Sequence, residues 1–321
     1  MTADRRAVTV IGSVHMDLIA VADRLPARGE SLTGHLFGMH PGGKGGNQAA
    51  QVALNDVPTF IVSRLGDDLF GRELRARLAA KGVDTSFVVT DTTTATGASP
   101  LLVGGDGEYA SIIVPGASAL LSKADVDAAR PMIARSAAVM LQLEIPSNVT
   151  AYAARTARDL GAQVVFNPSP APSSAAVLPD DLWECVDVLV VNELEAARIG
   201  GTDLETRRTG AEGAEALRTR FSIPVVVKTM GAEGAVAVGP NGVIEAPAWP
   251  VNVVDTVGAG DAFVGTLVSE LVRGLPLVDA LHHATAAGAL AVTRSGAFDA
   301  LPSRPELLTF IRTRSHPTSN P

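Results

Sequence analysis

Short apolar, β-branched runs alternate with helix-period segments along most of this chain, and that alternation constrains its fold more than any other feature. Val8–Gly12, Thr59–Leu65, Ala138–Gln142, Gln163–Asn167, Val186–Val191, Pro224–Thr229 and Ala235–Val238 read as strands. Gly46–Asn55, Gly71–Lys81, Pro146–Leu160, Glu193–Ile199 and Thr209–Arg220 read as the helices between them. Such alternation implies a largely parallel sheet covered by helices on both faces. In sheets of that kind ligands sit beyond the carboxyl ends of the strands.

Two stretches break the rhythm. Leu18–Val21 and Glu30–Leu36 look strand-like around a Pro/Gly turn, and Gly97–Val103 and Tyr109–Val114 flank the hairpin signal Gly104-Gly105-Asp106-Gly107. Neither resembles a βαβ crossover. The expectation is an α/β, Rossmann-like domain over residues 1–314, with a small antiparallel β lid made from segments about 17–38 and 96–114. Gly260 to Val292 is alanine-rich and predicted helical, and the tail Ser315–Pro321 is predicted disordered.

Composition narrows the functional classes. A hydrophobic content of 46% supports a sizeable core, yet the longest apolar runs are strand-sized, so no membrane span is predicted. The start, Met-Thr-Ala-Asp-Arg-Arg, has no signal-peptide core. One cysteine, Cys185, permits no internal disulfide and reads as a core thiol, so a cytoplasmic location is expected. A net charge of -8 without a dense basic cluster argues against nucleic acid as partner, and Arg207-Arg208 reads as a solvated helix face. His35 and His40 lack metal-ligand spacing, His282 and His283 are adjacent on one helix, and Ser63 and Ser111 lack a nucleophile-elbow context.

The chemistry is carried by glycine-rich segments and strand-end polar groups. In Asp255-Thr256-Val257-Gly258-Ala259-Gly260-Asp261, small residues lead into a helix whose N-terminus attracts anions. A carboxylate beside an anion hole repels what the hole attracts, unless it must take a proton from a hydroxyl during group transfer. The segment reads as phosphoryl transfer to an alcohol, or more plainly as a helix start with a solvated acid. Pro41-Gly42-Gly43-Lys44-Gly45-Gly46-Asn47-Gln48-Ala49-Ala50 is a second glycine-rich entry into a helix. It nearly fits a P-loop from Gly38, but Gly45 replaces the magnesium-binding hydroxyl. It suits backbone approach to a polyhydroxylated ligand, with Asn47 reading hydroxyls.

Other candidates close predicted strands. Asp17, after Gly12-Ser13-Val14-His15-Met16, can accept two sugar hydroxyl protons or act as a turn acid. Glu144 after Leu141-Gln142-Leu143, and Asn167 before Pro168-Ser169-Pro170, are equally compatible with loop polarity. Asn192 and Glu195 share a helical face and suit water around a magnesium–phosphate complex, or a helix cap. Thr229-Met230-Gly231-Ala232-Glu233-Gly234 offers a hydroxyl and amides to a nucleotide, or a hairpin turn.

Together these motifs resemble the ribokinase (PfkB) family of sugar kinases from about Val8 to Pro302, as do Asn167-Pro168-Ser169-Pro170-Ala171 and Ala291-Val292-Thr293-Arg294-Ser295-Gly296-Ala297. The resemblance implies an ATP-dependent kinase acting on the primary 5-hydroxyl of D-ribose; the alternatives are a kinase for deoxyribose, another sugar or a nucleoside, and a non-catalytic sugar-binding regulator on the same fold. Asp261 would be the base, beside an anion hole of Gly258, Ala259 and Gly260. Ser13, His15, Asp17, Gly42, Gly43, Lys44, Asn47 and Glu144 would hold the sugar. Asn192, Thr229, Gly231, Gly234 and Gly260 would line the ATP site, with Glu195 organising Mg2+ and phosphate. A monovalent cation, typically K+, would sit with Asp255 and carbonyls of Val257, Ala291, Arg294 and Gly296. The lid would serve as a homodimer interface. Two positions depart from the family. His15 stands where the family usually has Asn, and Ala300 stands where a hydroxyl-bearing residue often completes the cation site.

Overall fold

The computed structural model describes residues 6–105, 108–201 and 210–314. Asp106, Gly107, Arg207, Arg208, Thr209 and the segments 1–5 and 315–321, on which several expectations fell, lie outside it. Seven strands run parallel: β1 (Ala7–Ile11), β4 (Thr59–Gly66), β5 (Val83–Asp91), β9 (Ser136–Leu141), β10 (Gln163–Phe166), β11 (Val188–Asn192) and β12 (Val225–Thr229). The antiparallel β13 (Ala235–Gly239) and β14 (Gly242–Ala246) complete a sheet ordered β14-β13-β12-β11-β10-β9-β1-β4-β5.

The apolar runs follow from burial on both faces. Val8, Val10, Met140, Val165 and Val190 point to one side, against Ala49 and Val52 of the Lys44–Leu54 helix and Phe263 and Leu267 of the Ala259–Val272 helix. Their neighbours Ile11, Val139, Leu141, Phe166 and Val191 point to the other, against Val149 and Ala153 of the Ser147–Asp159 helix. Alternate residues therefore serve separate cores, which is why these strands show no polar alternation.

A second sheet stands apart: β2 (His15–Val21), β3 (Leu36–Gly42), β6 (Thr96–Val103), β7 (Tyr109–Ser111) and β8 (Val114–Gly116). It is antiparallel except at its centre, where β2 and β6 pair in parallel. Three details differ from the sequence expectation, the first being that the strand expected at Tyr109–Val114 is divided into β7 and β8. The strand expected at Glu30–Leu36 instead begins at Leu36, and Glu30 closes the preceding loop through a bidentate ion pair with Arg24. The register places His15 opposite Gly42 and Asp17 opposite His40, so His15 and Asp17 lie within a strand rather than beyond one.

Several further elements were not anticipated as such, among them the helices Lys123–Ala128 and Arg304–Thr313. Strand β5 alternates buried and exposed positions over Val-Asp-Thr-Ser-Phe at the sheet edge, and β14 is likewise an edge strand. The predicted helical stretch from Gly260 splits into Ala259–Val272 and Leu277–Ala291 around Gly274 and Pro276.

Late in the first of these helices, Glu270 is fully buried and accepts from Arg304 Nη1 at 2.6 Å and His283 Nδ1 at 3.1 Å. Burial alone would raise this carboxyl, but the two partners outweigh it and hold it below its usual value. Arg304→Met leaves the buried carboxylate with His283 alone, with an expected loss of about 3–5 kcal/mol, read as a lowered Tm at neutral pH. The gap should close as acid protonates Glu270, because the ion pair contributes only while the carboxylate is charged.

Candidate active site

Because β9, β10, β11 and β12 are parallel neighbours, their carboxyl ends stand side by side. Glu144, Asn167, Glu195 and Thr229 therefore come from four consecutive strand ends. A cleft of about 210 Å³ opens there, lined among others by Lys44, Glu195, Thr229, Thr256, Gly258 and Asp261. A wider depression of about 890 Å³ lies elsewhere, beside Arg155, Asp181 and Trp183, and contains none of these convergent groups.

Two helices aim their N-termini at the cleft. The Lys44 helix starts from Gly43, whose φ of 90° is left-handed, and a Cβ there would lie 2.8 Å from Val14 Cα. The Ala259–Val272 helix starts from Gly258, also left-handed at φ 80°. First-turn N–H groups have no partner within a helix, and the Ala259 N–H makes only a long 3.4 Å bond to the Thr256 carbonyl. Asp261 is 6% exposed in this first turn. Its Oδ2 accepts from Asn47 Nδ2 and its Oδ1 from Gln48 Nε2, each at 3.0 Å.

The charges in the cleft are coupled. Burial raises the Asp261 carboxyl, while Lys44, Asn47 and Gln48 pull it back. Burial pulls Lys44 down, but Asp261, Glu144 and Glu195 outweigh that and hold the ammonium form. Burial likewise raises Glu195 above the usual carboxylate value.

The candidate sugar residues converge beside this cleft. Glu144 Oε2 accepts from the Ser13 hydroxyl and, at 2.8 Å, from the Lys44 backbone N–H. His15, 6% exposed, brings Nε2 to 3.2 Å from Asp17 Oδ1, and Gly42 lies against the same carboxylate. Burial disfavours the imidazolium, but Asp17 and Glu144 outweigh it and raise His15 above its usual value.

The remaining candidates divide. Asn192 Oδ1 accepts from the Glu195 N–H and Glu195 Oε2 from the Asn192 N–H, which is a capping box, and Asn192 also lines the cleft. Thr229 lines the cleft, whereas Gly231 and Gly234 shape the turn between β12 and β13 and are not among its lining residues. Asp255 ties two loops together, accepting from the N–H groups of Val257 at 3.0 Å and Gly296 at 2.9 Å. Ala291 ends the Leu277–Ala291 helix and Arg294 lies on the loop that follows it, where the Arg294 N–H bonds the Ala291 carbonyl at 3.1 Å. Ala300 is fully buried.

Residues 5–304 match the pfkB family carbohydrate kinase profile. The chain belongs to the pfkB family of carbohydrate kinases. This kinase is 31% identical to a ribokinase of Haemophilus influenzae over 96% of its own length and 99% of the relative's. It is 31% identical to a deoxyribokinase of Salmonella typhi, covering 92% and 95% respectively. A solved structure of Arabidopsis thaliana ribokinase complexed with ribose and ATP superimposes with a TM-score of 0.85 at 28% identity, covering 95% of the kinase and 98% of that chain.

Two glutamines that stand within the sequence motifs without an assigned role lie against the site of this kinase. Gln48 is fully buried and touches Asp261, and Gln142 is fully buried and donates to Gln48 Oε1 at 2.6 Å. The available signal was positional: Gln48 lies four residues after Lys44, hence on the same helical face.

Proposed function

We propose that this kinase transfers the γ-phosphoryl group of ATP to the primary 5-hydroxyl of a pentose, D-ribose first, with Asp261 as general base. The observation that carries this reading is Asp261 itself, a buried carboxylate at a helix N-terminus with both oxygens held by side-chain amides. Such a group can take a hydroxyl proton while the adjoining first-turn amides of Ala259 and Gly260 face the transferring phosphoryl. Lys44 adds a positive charge on the same side. Ser13, Asp17, Asn47 and Glu144 form the pentose side, and Glu195 and Thr229 form the nucleotide side.

The donor set also suits the expected cations. Glu195 supplies a cleft carboxylate that would orient water around Mg2+, which when bound neutralises the phosphates. Asp255 and the carbonyls of Val257, Ala291, Arg294 and Gly296 combine one charge with neutral oxygens, a set suited to K+. That cation would steady the Gly258 turn. The exposed Phe37 and Ile112, 66% and 69% accessible, suit a homodimer through the small sheet, which would also close over the sugar as a lid. The expected compartment is the cytoplasm, where ATP is abundant and Cys185 stays reduced.

The test is ADP release with Mg-ATP and D-ribose, with and without K+, beside deoxyribose, other pentoses, hexoses and nucleosides. Silence across the panel would refute the reading. A second substrate is favoured by a particular contact. His15 engages an Asp17 oxygen that a sugar hydroxyl would otherwise use, which suits a sugar with one hydroxyl fewer, namely deoxyribose. His15→Asn is expected to shift the ratio of kcat/KM for ribose over deoxyribose upward by about tenfold, roughly 1.4 kcal/mol. An unchanged ratio would remove His15 from specificity.

A further inference from the structure

The two oxygens of Asp261 are held by amides of different character, and the difference can be traced through a buried chain. At its far end Asn167 Nδ2 lies 2.9 Å from the Val190 carbonyl, which can only accept, and 3.4 Å from Glu195 Oε2. That fixes the orientation of Asn167, turning its Oδ1 toward Gln48 at 3.3 Å. Gln48 must therefore present nitrogen to Asn167, and the same nitrogen donates to Asp261 Oδ1. Its own oxygen is held by Gln142 Nε2 at 2.6 Å. Both Gln48 hydrogens and its carbonyl are committed, so this amide cannot turn over without breaking all three bonds.

Asn47 is different. Its nitrogen donates to Asp261 Oδ2, but its buried Oδ1 has no hydrogen-bond partner among the described residues. A half-turn of this amide would let it accept a proton from Oδ2 where it now donates.

We propose that Gln48 is a positioning residue that holds Asp261 Oδ1 as a permanent acceptor, so that Oδ2, beside the reversible amide of Asn47, is the atom that receives the sugar proton. This rests on Asp261 being the base. The O–H proton passes to Oδ2, and the freed lone pair forms the new O–P bond. The bond from Pγ to the bridging oxygen breaks with its electron pair going to ADP. Asn47 can then stabilise the protonated carboxyl by presenting its oxygen, while Gln48 keeps the group in place.

The readout is the pH dependence of kcat at saturating Mg-ATP and sugar. Lys44 faces Asp261 with a positive charge, and Glu144 and Glu195 face it with negative ones. Against that background the Gln48 bond favours the charged form. Gln48→Met keeps the length of the side chain and removes the donor, so Asp261 should protonate more readily. The acid limb of the profile should move to higher pH by about one unit, with the sugar KM changed little. Gln142→Met leaves Asp261 untouched, frees Gln48, and should move the limb the same way by a smaller amount. It carries the test even if Gln48→Met folds poorly.

Asp261→Asn separates the two ideas. If it retains turnover, the base assignment fails and this proposal with it. If it is inactive while both glutamine variants keep the wild-type acid limb, only the role of Gln48 is overturned. A uniform drop in kcat with an unmoved limb would mark Gln48 as structural and count against the proposal.

Discussion

Asp261→Asn should lower kcat by about 10²–10⁴-fold, the range that general-base catalysis contributes, and leave sugar and nucleotide affinity within a few-fold of wild type. The substitution preserves shape and removes only the proton acceptor. The cavity can absorb it. Gln48 still finds an oxygen to donate to at the Oδ1 position, and the new amide nitrogen can face the otherwise unpartnered Oδ1 of Asn47. Steady-state kinetics at saturating substrates, paired with calorimetric titration of the sugar, separates turnover from binding. Turnover within tenfold of wild type would remove Asp261 as the base. A large loss of sugar affinity would instead make it a binding carboxylate whose charge Lys44 neutralises.

The parts of this molecule that were legible in the sequence are those whose physics is local. β9, β10 and β11 are buried on both faces, so their apolar runs announced a parallel sheet before any pairing was known. Gly43 and Gly258 adopt left-handed conformations at helix starts, and the runs of small residues around them marked both turns. Edge strands were harder. Val83–Asp91 interleaves polar positions because one face meets solvent, and that pattern is also compatible with a loop.

Register was harder still. Nothing near Glu30–Leu36 reveals that the pairing partner of His15 is Gly42, since that choice depends on how β2 meets both β3 and β6. The amide chain around Asp261 was beyond reach for the same reason. Gln48 meets Gln142 across 94 positions and Asp261 across 213, and a glutamine on a helix carries no mark of such partners. Asn192 shows the opposite case. Its capping box was predictable from i, i+3 spacing, and the same spacing puts Glu195 in the cleft.

The Gly258 turn offers a test of the anion hole that leaves every titratable group in place. A Cβ at Gly258 would lie 2.7 Å from Ala297 Cα and 2.8 Å from Ala297 Cβ, besides straining a φ of 80°. Gly258→Val must therefore displace either the helix start or the Gly296–Ala297 segment, whose Gly296 N–H is held by Asp255. Moving the first-turn amides by a fraction of an ångström removes donors from the developing charge, for which about 10²–10³-fold in kcat is the expected loss. Gly274→Ala is the matched control. Gly274 ends the same helix with φ 84°, and a Cβ there meets nothing within 4 Å. It should lose about 1 kcal/mol of stability from backbone strain and keep its turnover. If both variants lose stability alike and both keep kcat, the amides at the start of this helix are not an anion hole. If only Gly258→Val loses turnover while its pH profile stays at the wild-type position, the loss belongs to the hole and not to Asp261. The K+ response of that variant then adds a further discrimination, because Asp255 holds both the Val257 and the Gly296 N–H groups and so links the turn to the proposed cation loop.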